Sequence, residues 1–165
     1  MELDQDILVK APPDALYEVV SDARAMARFS PECRKVLGPR GGPAVGRSFI
    51  GLNRRGPFFW FTWCRVVHAE PAKQFTFDVS IFGLPVARWG YHLSPEEEGT
   101  RVTETWRDLR TGRGARLTEV LGLVFTGTPA HQRAARNRAG MRTTLFRLKR
   151  AVERQVGTPR VRYGS

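Results

Sequence analysis

The sequence predicts an α+β protein in which a seven-stranded antiparallel sheet lies against one long C-terminal helix. Three observations lead there. Residues 33–110 offer six strand candidates in a row with no helix between them, joined by short links that hold Gly or Pro; short links make neighbouring strands antiparallel. Residues 129–156 carry Met141, Leu145, Leu148 and Val152 at spacings of 4, 3 and 4, a single apolar stripe on an otherwise Arg-rich helix. One strand and two short helices come before all of this, so the element order is β-α-α-β6-α.

Residues 3–10 form the opening strand, with Leu3, Ile7 and Val9 apolar. Pro12-Pro13-Asp14 starts a helix, with proline in the first turn and an acid near the positive end of the dipole; Leu16, Val19 and Val20, with Tyr17 beside them, give its inner face. Asp22 caps a second helix running to about Phe29, where Ser30-Pro31 ends it. The six strands follow at 33–37, 47–54, 59–69, 74–81, 86–93 and 100–110, broken at 38–46, 55–57, 70–73, 82–85 and 94–99. Leu117, Val120, Leu121, Val124 and Phe125 suit a short helix within 112–127, interrupted by Gly122. Thr128 then caps the long helix, Pro129 suits its first position, and Gly157 and Pro159 stop it. At 1.5 Å per residue the rod is roughly 42 Å long.

Alternation assigns the faces of the sheet. Phe75, Phe77, Val79 and Ile81 share one face, as do Ala87, Trp89, Tyr91 and Leu93, and Val102, Glu104 and Trp106. On 59–69 both faces are apolar; Arg65 marks the outer one, which turns Trp60, Thr62, Cys64 and Val66 inward. On 47–54 the inward residues are Phe49, Gly51 and Asn53.

Charge is unevenly placed. Residues 1–109 hold 14 basic and 14 acidic side chains, and residues 110–165 hold 13 and 2, so the whole net charge of +11 lies in the last third. A solvated helix face accounts for it. With the inner stripe committed to the sheet and few aromatics among the arginines, we expect no specific nucleic-acid binding, and at most weak contact with a membrane surface. No apolar run approaches the ~20 residues that span a bilayer, and the acidic start is unlike a secretory leader. The expected compartment is the cytoplasm, with Cys33 and Cys64 as free thiols. Residues 1–156 are expected to be one domain and 157–165 a flexible basic tail, the protein being a monomer or homodimer. No His/Cys/carboxylate cluster has ligand spacing, so no metal is expected, and no motif calls for a cofactor.

Several stretches resemble the START-like superfamily of polyketide cyclase/dehydrase and lipid transport proteins (SRPBCC, helix-grip). They are Ala11-Pro12-Pro13-Asp14-Ala15-Leu16, Val20-Ser21-Asp22-Ala23-Arg24, Phe29-Ser30-Pro31-Glu32, Val45-Gly46-Arg47-Ser48-Phe49-Ile50-Gly51, Ala69-Glu70-Pro71, Gly99-Thr100-Arg101-Val102-Thr103-Glu104 and Gly140-Met141-Arg142-Thr143-Thr144-Leu145. The likeness runs from about residue 3 to 153. It implies a helix-grip fold, with the sheet strongly curved around the long helix and a ligand cavity between them. It does not name a reaction, because that superfamily holds carriers, receptors and cyclases alike.

The candidate ligand-binding residues are Phe49, Trp60, Cys64, Phe75, Phe77, Trp89, Tyr91, Glu104, Trp106, Met141 and Leu145. Glu104 stands out, since a carboxylate between Val102 and Trp106 on an apolar face needs a partner; Arg138 or Asn137 on the long helix could supply it. The first reading is binding or transport of a hydrophobic or aromatic small molecule without catalysis. The second is a polyketide cyclase or aromatase using Glu104, Asn53, Tyr91 and Arg138. The third is a nucleic-acid or anionic-membrane binder acting through the basic C-terminal region. The apolar hairpin tip 81–85 also calls for burial, against the cavity mouth, a membrane, a second copy or the second helix.

Overall fold

The computed structural model describes residues 1–39, 42–110 and 130–157. The expected helix within 112–127, the Thr128-Pro129 start and the tail beyond 157 lie outside the described residues. The elements are β1 (Glu2–Val9), α1 (Pro13–Val20), α2 (Ala23–Ala27), β2 (Cys33–Leu37), β3 (Ser48–Arg55), β4 (Phe58–Glu70), β5 (Gln74–Ile81), β6 (Leu84–Glu96), β7 (Gly99–Asp108) and a C-terminal helix, α3 (Ala130–Gly157). The strands form one antiparallel sheet in the order β1-β7-β6-β5-β4-β3-β2. The first strand therefore pairs with the last, and β1 and β2 are the two edges. The unusual opening is explained by this topology: α1 and α2 carry the chain from one edge of the sheet to the other.

Several boundaries differ from the sequence reading. The β5–β6 link shrinks to Phe82-Gly83, with φ of 50° and 77°, the two positive values of a tight hairpin turn. Pro85 enters β6 opposite Ser80, next to a register shift that leaves Val86 as the extra residue of the strand. Likewise β6 and β7 extend to a two-residue tip at Glu97-Glu98, and Gly99 sits at φ 145°. A Cβ there would stand 2.2 Å from the Val9 carbonyl oxygen, so only glycine fits. The second helix ends at Ala27, two residues early; Asp22 caps it as expected, accepting from the backbone N–H groups of Arg24 (2.9 Å) and Ala25 (3.3 Å).

The stripe on α3 is buried as its spacing requires. Met141, Leu145, Leu148 and Val152 are each 2 % exposed or less. Leu145, Leu148 and Val152 join Val9, Leu16, Val20, Phe75, Tyr91, Leu93 and Val102 in the main core, while Met141 joins Leu3, Ala87 and Trp106 in a second cluster. Burying each such side chain stabilises the fold by roughly 1.5–3 kcal/mol. Polar contacts fix the helix along β1: Arg142 Nε donates to Gln5 Oε1 (2.7 Å), and Lys149 Nζ to the Leu8 carbonyl (2.6 Å) and to Glu153 (2.8 Å). Glu153 in turn accepts from the Lys10 backbone N–H (2.8 Å). Among the described residues no helix is long and apolar enough to cross a membrane.

The two faces of β4 are both aromatic. Trp60, Thr62 and Cys64 point inward, while Phe59, Phe61 and Trp63 are exposed on the outer face. At the hairpin tip, Phe82 packs edge-on against Phe61 of that outer face, ring centroids 5.7 Å apart.

Candidate functional site

The inner faces of β3 to β7, the helix α2 with the turn after it, and one flank of α3 line a half-open cavity of about 250 Å³. The strands contribute Phe49, Trp60, Phe75, Phe77, Trp89 and Tyr91 as aromatic walls, with Gly51, Asn53, Thr62, Cys64 and Val79 between them. Phe49 and Phe77 pack edge to face at 5.5 Å. The α3 side comprises Arg136, Asn137, Gly140, Met141 and Thr144. A second space of about 460 Å³ opens under the β2–β3 loop and shares Ala23, Val36, Phe49 and Phe75 with the first.

Of the residues expected at the site, Phe49, Trp60, Cys64, Phe75, Phe77, Trp89, Tyr91, Glu104 and Met141 line this cavity together. Trp106 and Leu145 do not: Trp106 packs on Leu3, Ala87 and Met141, and Leu145 lies in the main core. The reason is the setting of α3. Its stripe presses onto β1 and β7, and the cavity meets the adjoining flank, which carries Asn137, Gly140 and Thr144. Alternation alone could not have shown that. The α2 wall, Ala23, Met26, Ala27, Ser30 and Pro31, was also missed; the only signal was the odd placement of two short helices before the sheet.

Glu104 is 3 % exposed, and its pairing differs from the sequence expectation. Arg138 is exposed and absent from the cavity lining, because one residue rotates about 100° around the helix from Asn137. The partner of Glu104 is its cross-strand neighbour: Tyr91 and Glu104 are paired in the β6–β7 register, and Tyr91 Oη donates to Glu104 Oε1 at 2.8 Å. Oε2 is buried and has no hydrogen-bond partner among the described residues. Burial pushes the carboxyl up to about 8, against a smaller downward pull from the Tyr91 hydroxyl, so at neutral pH it is mostly a neutral acid. Burial and the neighbouring carboxyl push the Tyr91 hydroxyl well above its ordinary value, and it keeps its proton.

The other polar groups are tied to one another. Asn53 Nδ2 donates to the Gly51 carbonyl (3.2 Å) and to Thr62 Oγ1 (3.4 Å), which lies 3.8 Å from Cys64 Sγ. Burial pushes the Cys64 thiol up to about 12, so it stays protonated and unreactive. The site is thus a largely aromatic chamber with the protonated Glu104 set in its wall and Glu32, Arg136, Asn137 and Thr144 among its polar lining.

Residues 1–153 match the family described as polyketide cyclase / dehydrase and lipid transport. The chain belongs to that family. Solved structures agree with the assignment. A Polyketide_cyc-like protein from Corynebacterium glutamicum is 27% identical, with 99% of this chain and 97% of that one covered and a TM-score of 0.63. The di-domain ARO/CYC protein of the steffimycin biosynthetic pathway is 15% identical, covering 95% of this chain and 52% of that one, with a TM-score of 0.73. A protein of the dynemicin biosynthetic locus is 23% identical, covering 92% of this chain and 47% of that one, with a TM-score of 0.62. This chain therefore spans about half the length of the last two, whose likeness bears on the fold. No curated protein matches it. The helix-grip fold of the polyketide cyclase / dehydrase and lipid transport family is the frame in which the chamber sits.

Proposed function

We propose that this polyketide cyclase/dehydrase family protein binds or carries a hydrophobic, largely aromatic small molecule in the chamber between sheet, α2 and α3. The observation that carries the reading is the lining: six aromatic side chains line the space, and among the lining residues Glu104 alone has a buried side-chain oxygen without a hydrogen-bond partner among the described residues. Small-molecule sites have this make-up. At about 250 Å³ the chamber is near the low end of the ~300–1,000 Å³ usual for such sites, which suits a compact ring system better than a two-chain lipid. The family description and the ARO/CYC relative supply the same chemistry, polycyclic or lipid-like.

A second reading, cyclase or aromatase, is favoured by one observation: a protonated carboxylic acid in an apolar chamber is how general acids are built. Of its four candidates, Glu104 and Tyr91 meet at the chamber wall, Asn53 is engaged with Gly51 and Thr62, and Arg138 points away. Binding stands first because Asn53 is tied to Gly51 and Thr62 and Arg138 is exposed, which leaves Glu104 and Tyr91 as the pair of the four that meets in the wall.

Native mass spectrometry of the purified protein should reveal a co-purifying small molecule. An apolar fluorescent dye should enter the chamber, and Thr62→Phe, which fills it from β4, should weaken uptake at least about tenfold. Unchanged uptake in the folded variant would place the dye elsewhere and remove the chamber as the binding site.

A further inference from the structure

We infer that the outer face of the sheet at its β2–β3–β4 end, with the Phe82 hairpin tip, docks on an anionic lipid bilayer. This surface lies on the side of the sheet opposite the chamber. β3 turns Phe49, Gly51 and Asn53 inward, so Ile50, Leu52 and Arg54 point out, and β4 turns Phe59, Phe61, Trp63 and Arg65 out. The registers set these side chains side by side. Leu37, Ile50 and Trp63 form one row across the strands, Lys35, Leu52 and Phe61 the next, and Arg54 and Phe59 a third. Phe82 extends the second row through its contact with Phe61. Phe59 is 64 % exposed, Phe82 61 % and Trp63 53 %. An apolar face built from neighbouring strands in this way marks a docking surface, where scattered single residues would not.

Charge chooses the occupant. Lys35, Arg54 and Arg65 are exposed on this face and form no ion pair among the described residues. Asp78, beside Arg65 in the β4–β5 register, is already held by Arg88 at 2.6 and 2.9 Å. Exposed rings beside cations without counter-charges match the headgroup layer of an anionic membrane, where aromatics settle and Lys and Arg meet lipid charges. The tip adds to this. Phe82 holds φ 50°, a left-handed setting that Gly or Asn adopts at lower cost, so an exposed ring is kept there against backbone strain. A second copy on this face would set the same cations against one another. Single-stranded nucleic acid needs open ring faces for its bases. Here the Arg54 guanidinium lies over the Phe59 ring at 4.9 Å, and Phe61 and Phe82 are packed on each other at 76°.

The test is co-sedimentation of the purified full chain with vesicles of phosphatidylcholine alone and with about 30 % phosphatidylserine added. Binding to the anionic vesicles should be tighter by about tenfold or more, because each cation near such a surface adds to the attraction. Trp63 is the exposed one of the four Trp, so emission should shift to the blue on binding and be quenched by brominated lipid. Trp63→Phe should keep the binding and lose most of the shift. Phe61→Ser with Phe82→Ser, both at exposed positions, should weaken binding by about tenfold, and Arg54→Glu with Arg65→Glu by about as much. Arg150→Glu with Arg154→Glu, on α3, should leave it nearly unchanged. Equal binding to both vesicles, or no Trp response in the wild type, overturns the proposal without requiring any variant to fold. Loss of binding through the α3 pair and not the sheet pairs moves the contact to the helix and overturns it as well. So does a dimer, or a complex with a single-stranded oligonucleotide, that forms in preference to the vesicle complex and is lost with Phe61→Ser and Phe82→Ser.

Discussion

Glu104→Gln should stabilise this protein, increasingly so as the pH rises. The carboxyl has an ordinary value of 4.5 in the unfolded chain and about 8 in the fold. Between those values the folded state holds a proton that the unfolded state has released. Stability from this group is therefore fully present below about pH 4.5 and is lost as pH climbs towards 8, at about 1.4 kcal/mol per pH unit. At pH 7 the wild type would forgo about 3 kcal/mol relative to pH 4.5, whereas the glutamine amide, always neutral, forgoes nothing. Its carbonyl can still accept from Tyr91, so the two proteins should be nearly equal at pH 4.5. Urea unfolding followed by circular dichroism at pH 5, 6, 7 and 8 gives the difference directly, and other titrating groups cancel because both proteins share them. Had Glu104 been paired with Arg138, one of the two partners the sequence offered, the same substitution would cost about 3 kcal/mol at neutral pH by stranding the cation. A destabilised variant at pH 7, or a difference that does not change with pH, would refute the neutral buried acid.

Asp22→Ala removes the acceptor that caps two N–H groups of α2 and should cost about 1 kcal/mol, read as a lower urea midpoint at unchanged m-value. Gly99→Ala forces a side chain to a φ of 145° and onto the Val9 carbonyl; a loss of about 3 kcal/mol or failure to fold is expected, and a wild-type melting curve would contradict the β1–β7 closure drawn here. Duplex DNA should bind weakly and let go near physiological salt, where the Debye length is about 8 Å, since Arg142, Arg147 and Lys149 are engaged within the molecule; a salt-resistant, sequence-dependent shift in anisotropy would say otherwise.

Local rules carried the sequence far. The faces of β3, β5, β6 and β7 followed from period-two alternation, and the stripe on α3 from its 4-3-4 spacing. Even the Tyr91–Glu104 pair was within reach: both residues were placed inward, and a tight hairpin at Glu97-Glu98 sets them opposite each other. It was overlooked because a lone carboxylate invites the search for a cation. The remaining errors concern the angle at which elements meet. Which flank of α3 faces the chamber, and so whether Asn137 or Arg138 matters, depends on how the helix crosses a curved sheet. The same crossing decides that Trp106 and Leu145 are core. Sequence periodicity carries no information about either.

The two-faced aromatic strand β4 has a consequence for how the chain reaches this state. A slip of one residue would exchange Phe59, Phe61 and Trp63 for Trp60, Thr62 and Cys64, and the misaligned strand would bury as much aromatic surface as the native one. Hydrophobicity, which fixes register elsewhere in the sheet, is nearly silent here. The task passes to the turns: Gly56, held at φ 55° between the paired Arg55 and Phe58, and Ala72, at φ 59° in the turn from β4 to β5. The shift in the β4–β5 ladder between Val66 and His68 adds a third fixed point. A few backbone angles thus separate the native hairpin from a compact kinetic trap of similar burial, in which the chamber would be lined by the wrong side of its own wall.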